Sequence, residues 1–522
     1  MFVKSKIIAG DKELIVYANE PKSLLEIIAQ SGISVDAPCA GLGRCGKCRV
    51  NVQGNLPQDN LETSVLSGEE IKAGVRLACR KRSIPGNLII TIPSVAEEQV
   101  KAAYKIEPAD TGIAVDLGTT SIITAFVNIS DGTIMAMHNM LNPQRIYGAD
   151  VVSRIHAGLD RPTLEKMMHM TVNTIAEGIG TLLSEIGLEA DRIRSIQIAG
   201  NTTMEHIIAG MDVSGLARAP YTPAFIHSMR IPELKKSFGV ATDNISLFPV
   251  IGGFVGGDTV ASILACGMDM SDDTVALIDI GTNAEVAIGN KDRIFVSSAP
   301  AGPAFEGGQI KQGMRAQDGA IEGMHIAGDD IRLDIKGDKE PRGICGSGLI
   351  RIVSELVKAG IVTDSGELLD ASRIASNLAL RSLTVNREQA FTLYRSYMND
   401  VHIYQSDIRA LQLAKASIAA GLSTLINNAG IKPSYLYIAG AFGNYLNPED
   451  LGLIGMIPSE LVNHTYFIGD SVISGLRRFI INDPPVAMDK LLSGIKHVEL
   501  ANDPAFNDRF VSMLALKPYG SH

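Results

Sequence analysis

The stretches IAVDLGTTSIITAFV (113–127) and VALIDIGTNAEVAIG (275–289) have one shape. Each is an apolar strand, a turn containing Asp-x-Gly-Thr, and a second strand. They lie about 160 residues apart. One such turn is a weak signal, because Asp, Gly and Thr populate turns of many kinds. Two copies between apolar strands form an internal repeat, and no other feature constrains the fold as much. The turn also carries chemistry. Backbone N–H groups and side chains of Gly118, Thr119 and Thr120, and of Gly281, Thr282 and Asn283, suit phosphate oxygens. Asp116 and Asp279 suit a Mg²⁺ ion, reached through water.

At 522 residues the chain exceeds one ordinary core, so several domains are expected. The formal charge is −10, while the first hundred residues are close to balanced, so the acidity lies downstream. That disfavours nucleic acid or an anionic membrane as the main partner, since both need a basic surface. The N-terminal sequence MFVKSKIIAGDKELIVYA has no apolar run of signal-peptide length. No stretch of ~18 apolar residues occurs anywhere. Six cysteines in so long a chain do not make a disulfide scaffold. The expectation is a cytoplasmic protein in a reducing compartment, with no nucleic acid or membrane partner.

Half of those cysteines fall in APCAGLGRCGKCRV, residues 37–50. The pattern is Cys39-x5-Cys45-x2-Cys48, with thirty residues before Cys79. Thiolates are soft ligands suited to zinc or iron–sulfur clusters. Structural zinc sites usually present two C-x2-C arms, whereas this chain has one pair, a third cysteine upstream and a distant fourth. That is close to the plant-type [2Fe–2S] spacing, with the first gap one residue longer. Gly41, Gly43 and Gly46 let backbone N–H groups approach cluster sulfurs. Arg44, Lys47 and Arg49 offset cluster charge. KSKIIAGDKELIVYA reads as a hairpin, SLLEIIAQSGI as an amphipathic helix, and NLIITIP as a last strand. This order resembles a β-grasp [2Fe–2S] ferredoxin over residues 1–94. Residues 95–111 are polar and read as a linker.

The two Asp-x-Gly-Thr hairpins resemble the phosphate-1 and phosphate-2 loops of the actin, Hsp70 and sugar-kinase (ASKHA) superfamily. A two-lobed α/β domain is therefore expected, with lobes at 112–272 and 273–522. Before the second hairpin, IGGFVGGDTVASILACGMD places Asp258 at the start of a small-residue helix. Asp258 reads either as a helix N-cap or as the acid that places an attacking water. With Asp116 and Asp279 it completes the catalytic candidates. YLYIAGAFGNYLNP runs a strand into Gly440, Gly443 and Asn444, resembling the adenosine loop. GICGSG puts Gly346 and Ser347 at a helix N-terminus, a second candidate for nucleotide contact. Asn201 and Thr202 close another strand and read either as turn residues or as ligands of Mg²⁺ or phosphate. Cys266, Cys345 and His206 read as core residues.

Taken together, an N-terminal cluster domain and the series DLGTTS, GNTTM, GGFVGGDT, DIGTNAE, AGPAFEGG, GICGSGL and AGAFGNYL resemble the reductive activators of corrinoid proteins. The resemblance implies a [2Fe–2S] cluster on Cys39, Cys45, Cys48 and Cys79. It implies Mg-ATP held by the two turns. It implies one-electron reduction of inactive Co(II) to Co(I) in a corrinoid methyl-carrier protein, with electrons from a low-potential donor. Members are often homodimeric. Some carry an extra domain where this chain has only a short linker. Three other readings remain: an ATP-dependent reductase for another acceptor, a sugar or acid kinase with a redox module, and a redox sensor that binds ATP.

Overall fold

The computed structural model describes residues 3–9, 12–18, 23–24, 27–28, 48–54, 62, 66–81, 87–92, 110–148, 150–281, 283–307, 309–337, 339–396, 400–440, 446–482 and 486–520. Cys39, Cys45, Thr282, Gly443, Asn444 and linker residues 95–109 lie outside them. The chain divides into two compact units, Met1–Lys105 and Ile106–His522.

In the first unit, β1 (Val3–Ala9) and β2 (Lys12–Ala18) pair antiparallel. β3 (Arg49–Gln53) pairs antiparallel with both β4 (Val75–Leu77) and β5 (Asn87–Ile92). β5 runs parallel to β1, which gives the order β2-β1-β5-β3-β4. Leu24, Ile27 and Ile28, from the expected helix, are fully buried with Ile7, Val50 and Ile90. The short helix α1 (Gly68–Lys72) starts at a capping box in which Ser67 and Glu70 exchange hydrogen bonds. This is the β-grasp arrangement.

The second unit is built on two six-stranded sheets with a shared plan. In the first, β6 (Thr111–Leu117), β7 (Ser121–Asn128) and β8 (Ile134–Leu141) form an antiparallel meander. β9 (Ile193–Gly200) lies parallel to β6, and β11 (Ile245–Leu247) parallel to β9, with β10 (Met229–Arg230) at the edge. In the second, β12 (Val275–Ile280), β13 (Ala284–Asn290) and β14 (Arg293–Ala299) repeat the meander. Two three-stranded sheets come next: β15 (Ala320–Ala327), β16 (Asp330–Ile335) and β17 (Gly343–Ile344), then β18 (Ser382–Val385), β19 (Glu388–Tyr394) and β20 (Val401–Tyr404). β21 (Tyr435–Ala439) then lies parallel to β12, and β22 (Thr465–Gly469) parallel to β21. β23 (Ile495–His497) adds to the far edge along β14. The repeat in the sequence is thus a repeat of topology, in which each Asp-x-Gly-Thr turn joins the first two strands of a sheet.

The helices that matter are α2 (Val151–Gly158), α3 (Arg161–Ile186), α4 (Thr202–Ile208), α5 (Gly257–Ala265), α6 (Gly346–Lys358), α7 (Gln405–Ala429), α8 (Ser471–Ile481) and α9 (Phe506–Ser512). α3 begins at Asp160, whose carboxylate caps Thr163 N, and stops at Gly187 in the left-handed conformation. α7 is buried along most of its length and backs β13 and β14. α8, late in the sequence, packs on β6 of the first sheet and along α5. A Cβ at Gly475 would sit 1.9 Å from Ala261 O, so the α5 and α8 backbones touch there. Each sheet has its own apolar core, and the pair α5–α8 runs between them.

Candidate functional site

The thiols come first. Arg49 pairs with Leu77 across the β3–β4 ladder, and Ala78 N donates to Cys48 O at 2.8 Å. This register sets Cys48, just before β3, beside Cys79, just after β4. Their sulfurs are 3.2 Å apart. That is far longer than a disulfide bond of ~2.05 Å. It is near the ~3.7 Å edge of a tetrahedral site with metal–thiolate bonds of ~2.3 Å. Two convergent sulfurs fit a shared iron. The turn is anchored by a buried ion pair, Lys81 Nζ to Glu62 Oε2 at 2.5 Å. Glu62 Oε1 also accepts from Leu77 N at 2.9 Å.

In the second unit the first turn is held through its main chain. Asn142 Nδ2 donates to Gly118 O at 2.8 Å, and its backbone N–H donates to Thr120 O at 3.0 Å. Arg154, fully buried on α2, donates to Thr119 O at 2.6 Å. Asn201 caps α4 by accepting from Met204 N, and its Nδ2 donates to Thr119 Oγ1 at 2.9 Å. The Thr202 hydroxyl donates to Gly252 O at 2.6 Å and is buried, so it ties down the 252 loop.

The second turn is held through its carboxylate. Asp279 Oδ2 lies 3.2 Å from Ser262 Oγ on α5 and 3.4 Å from Ser471 Oγ on α8, and the two hydroxyls are 2.7 Å apart. Gly440 closes over this turn with φ +100°, a conformation that favours glycine. A Cβ there would meet Ile280 O at 2.6 Å and Asp279 Oδ1 at 3.3 Å.

Asp258 does not cap α5. The N-cap is Gly256, and Asp258 sits in the first turn with its Oδ1 accepting from Thr259 N at 2.7 Å. Asp470 caps α8 through Ile473 N, and its other oxygen, Oδ2, is buried with no hydrogen-bond partner. Four carboxyls therefore face one another: Asp116, Asp258, Asp279 and Asp470. Each is partly exposed, yet the surrounding protein strips away most of its water. Burial, then repulsion from Asp470, Asp258 and Asp279, drives Asp116 far above the usual carboxylate range. Burial and Asp279 push Asp258 to about 7, and burial first pushes Asp470 to about 6. Glu285 is driven far up by burial and by Asp258 and Asp279. Glu205 is driven up chiefly by burial, and its Oε2 has no partner. Such a concentration of desolvated carboxyls, with orphaned oxygens at Asp470 and Glu205, fits a divalent cation. Among the described residues no three His, Cys, Asp or Glu side chains are set to ligate an ion directly.

The comparisons agree with this geometry. Residues 7–82 match the model of the 2Fe-2S iron-sulfur cluster binding domain, 111–271 that of the RACo middle region, and 273–521 that of the C-terminal domain of RACo, the ASKHA domain. The corrinoid activation enzyme RamQ of Eubacterium limosum is 32% identical over 441 residues, covering 82% of this chain and 72% of that protein. The chain belongs to the reductive activators of corrinoid proteins. A second relative of this activator is the [Co(II) methylated amine-specific corrinoid protein] reductase of Methanosarcina barkeri, 24% identical over 444 residues, covering 77% of this chain and 76% of that one. A solved reductive activator for corrinoid, iron-sulfur protein superposes with a TM-score of 0.69 at 26% identity, covering 98% of both chains. The activator's second unit is therefore an ASKHA fold with a nucleotide cleft, and its first is a cluster domain of the [2Fe–2S] type. Among the described residues no helix is long and apolar enough to cross a membrane.

The structure sets Asp116 near Asp258 and Asp279, ties Asn201 to Thr119, and places Gly440 against Asp279 in the activator. The Gly346–Ser347 turn is buried: a Cβ at Gly346 would lie 1.7 Å from Phe305 O, and Ser347 Oγ is 3.2 Å from Cys345 Sγ. Asp470, Ser262, Arg154, Glu205 and Glu285 escaped the sequence reading. Asp470 left a signal there, since YFIGDSVISG is a strand followed by Gly-Asp-Ser opening a helix. Arg154 left none. His206 is a satisfied core histidine, its Nδ1 2.7 Å from Thr202 O and its Nε2 accepting from Ala224 N.

Proposed function

We propose that the chain is an ATP-dependent iron–sulfur reductase that returns one electron to inactive Co(II) in a corrinoid methyl-carrier protein, regenerating Co(I). The observation that carries this reading is the joining, in one chain, of a convergent thiol pair in a [2Fe–2S]-type unit to a carboxylate-lined ASKHA cleft. Family membership supports the acceptor.

When bound, the cluster supplies a one-electron carrier of low potential, and Mg²⁺ offsets charge on the ATP phosphates. Cys39, Cys45, Cys48 and Cys79 would hold the cluster. Asp116 and Asp279 would hold the cation. Gly118, Thr119, Thr120, Gly281, Thr282 and Asn283 contact phosphates, Asn201 fixes the Thr119 hydroxyl, and Gly440, Gly443 and Asn444 receive the adenosine side. Asp258, in the first turn of α5 beside Asp279, accepts the proton of the attacking water. Nucleotide is needed because the transfer is uphill. Plant-type clusters sit near about −400 mV, and each further 100 mV costs one electron about 2.3 kcal/mol. Closure of the two sheets about α5 and α8 couples ATP to that step by favouring one of two conformations.

The test is anaerobic. Cluster-loaded protein, a low-potential reductant and a Co(II) corrinoid methyl-carrier are mixed, and the cobalt is followed by absorbance. Co(I) is expected only with Mg-ATP, and not with Cys48→Ser. Failure to form Co(I) with any nucleotide, across several carriers, would point to a different acceptor.

A further inference from the structure

α7 and the C-terminal segment enclose a cavity of about 440 Å³ that takes no part in the cleft chemistry. Its lining includes three cations, Lys415, Arg509 and Lys517, of which Arg509 is paired with Asp503, in a chain of net charge −10. Lys415 is 1% exposed. Among the described residues its ammonium donates only to main-chain carbonyls, Gly455 O at 3.4 Å and Ala515 O. An ammonium has three donors, so one remains for the cavity, and no carboxylate balances the charge. Burial alone pulls its pKa from the usual lysine range down to about 7. Gly455 keeps the wall thin, since a Cβ there would meet Lys517 O at 2.2 Å and Lys415 Nζ at 3.4 Å. A buried cation without a counter-ion is costly unless something anionic pairs with it.

We propose that this cavity binds a small oxyanion, the phosphate or carboxylate of a metabolite, held by Lys415, Arg509 and Lys517. The occupant ties the C-terminal segment to α7, the helix that backs β13 and β14 of the second sheet. The site is therefore an effector site, separate in its residues from the cleft.

Calorimetric titration of the full-length protein tests this, with the cleft filled by a non-hydrolysable Mg-ATP analogue and with sulfate and malonate as probes. One saturable site is expected; preference for sulfate identifies a phosphate-type ligand, and preference for malonate a carboxylate. Binding of sulfate, which stays dianionic, tightens as pH falls toward about 7 and levels off below it, because the anion favours protonated Lys415. The other charges at the wall are Arg509 with its partner Asp503, Lys517, and Glu460 near Tyr519. Lys415→Met should weaken binding by about tenfold or more. Lys415→Met can also loosen the C-terminal segment, so two further variants are needed. Lys517→Ala removes only an exposed charge, and Ser423→Met fills the cavity from α7; both should weaken binding, the second to nothing measurable. No saturable binding of either anion below about 50 mM, or binding unchanged in Lys517→Ala and Ser423→Met, would overturn the proposal and leave Lys415 as a staple of the chain end.

Discussion

The two Asp-x-Gly-Thr turns share sequence, strand pairing and position at the head of a sheet, yet they are braced in opposite ways. The first is held by its backbone: Asn142 and Arg154 take the carbonyls of Gly118, Thr119 and Thr120, and Asn201 takes the Thr119 hydroxyl. Among the described residues its aspartate, Asp116, receives no protein hydrogen bond. The second is held by its aspartate, through Ser262 and Ser471 from the two helices that run between the sheets. The first turn is thus a fixed platform with a loose carboxylate. The second carries a carboxylate registered to α5 and α8, the elements that must shift if the sheets close. On the proposed reading both aspartates serve the cation, and Asp279 is the one also tied to α5 and α8.

The largest expected effect separates the two aspartates. Asp116→Asn and Asp279→Asn should each slow ATP hydrolysis by about 10²-fold or more, the usual cost of removing a charged group that acts on the transition state. Their stabilities should diverge. Asn at 116 removes a desolvated, repelled carboxyl and breaks no hydrogen bond, so the nucleotide-free protein should melt higher. Asn at 279 also relieves repulsion but disturbs the bonds to both serines, so its gain should be smaller. Equal melting shifts in the two variants would erase the contrast drawn here.

A smaller effect follows from pH. Asp258, at about 7, and Asp470, at about 6, lie above the ordinary aspartate value of 3.8. Between about pH 4 and 7 the native state therefore holds protons that the unfolded chain releases. Their contribution to stability is fully present below about pH 4 and is lost as pH rises through 6 and 7. The loss should be on the order of a few kcal/mol. Melting temperatures of nucleotide-free protein from pH 5.5 to 8 check the sign. Mg²⁺ with nucleotide should flatten the slope, because the cation replaces the protons. A slope unchanged by Mg-nucleotide would remove the cation from the carboxyl cluster.

The contrast between the turns also marks how far the sequence could be read. The repeat, the strands and the aspartates are written in short contiguous segments, where apolar runs and turn residues declare themselves. The cysteine spacing is local for the same reason, and β3–β4 pairing then carries Cys79 to Cys48. The braces are not local. Arg154 reaches Thr119 from a helix whose sequence shows only an ordinary amphipathic pattern. Ser262 and Ser471 meet at Asp279 from places 209 residues apart. Small hydroxyls inside helices have no distinctive spacing, so only the packing of α5 on α8 gives them a role. The Gly346–Ser347 turn shows the reverse: a glycine-rich helix start reads as an anion site, but here the glycine lets a helix lie against Phe305.

The finest test of the contrast lies in those two serines. Each hydroxyl makes one bond of modest length to Asp279 Oδ2 and shares another with its neighbour, so removing one should cost about 1 kcal/mol of stability. If the serines register closure, their loss should be felt more in coupling than in binding. Ser262→Ala and Ser471→Ala should keep ATP affinity within about twofold, since neither residue belongs to the phosphate-contacting turns. Each should lower the Co(I) formed per ATP hydrolysed, because Asp279 no longer reports its state to α5 and α8 together. The double variant should fall short of the sum of the singles, as expected for groups that act in one network. Full coupling in the double variant would mean that α5 and α8 follow nucleotide through another contact, with the close backbone approach at Gly475 and Ala261 the first place to look.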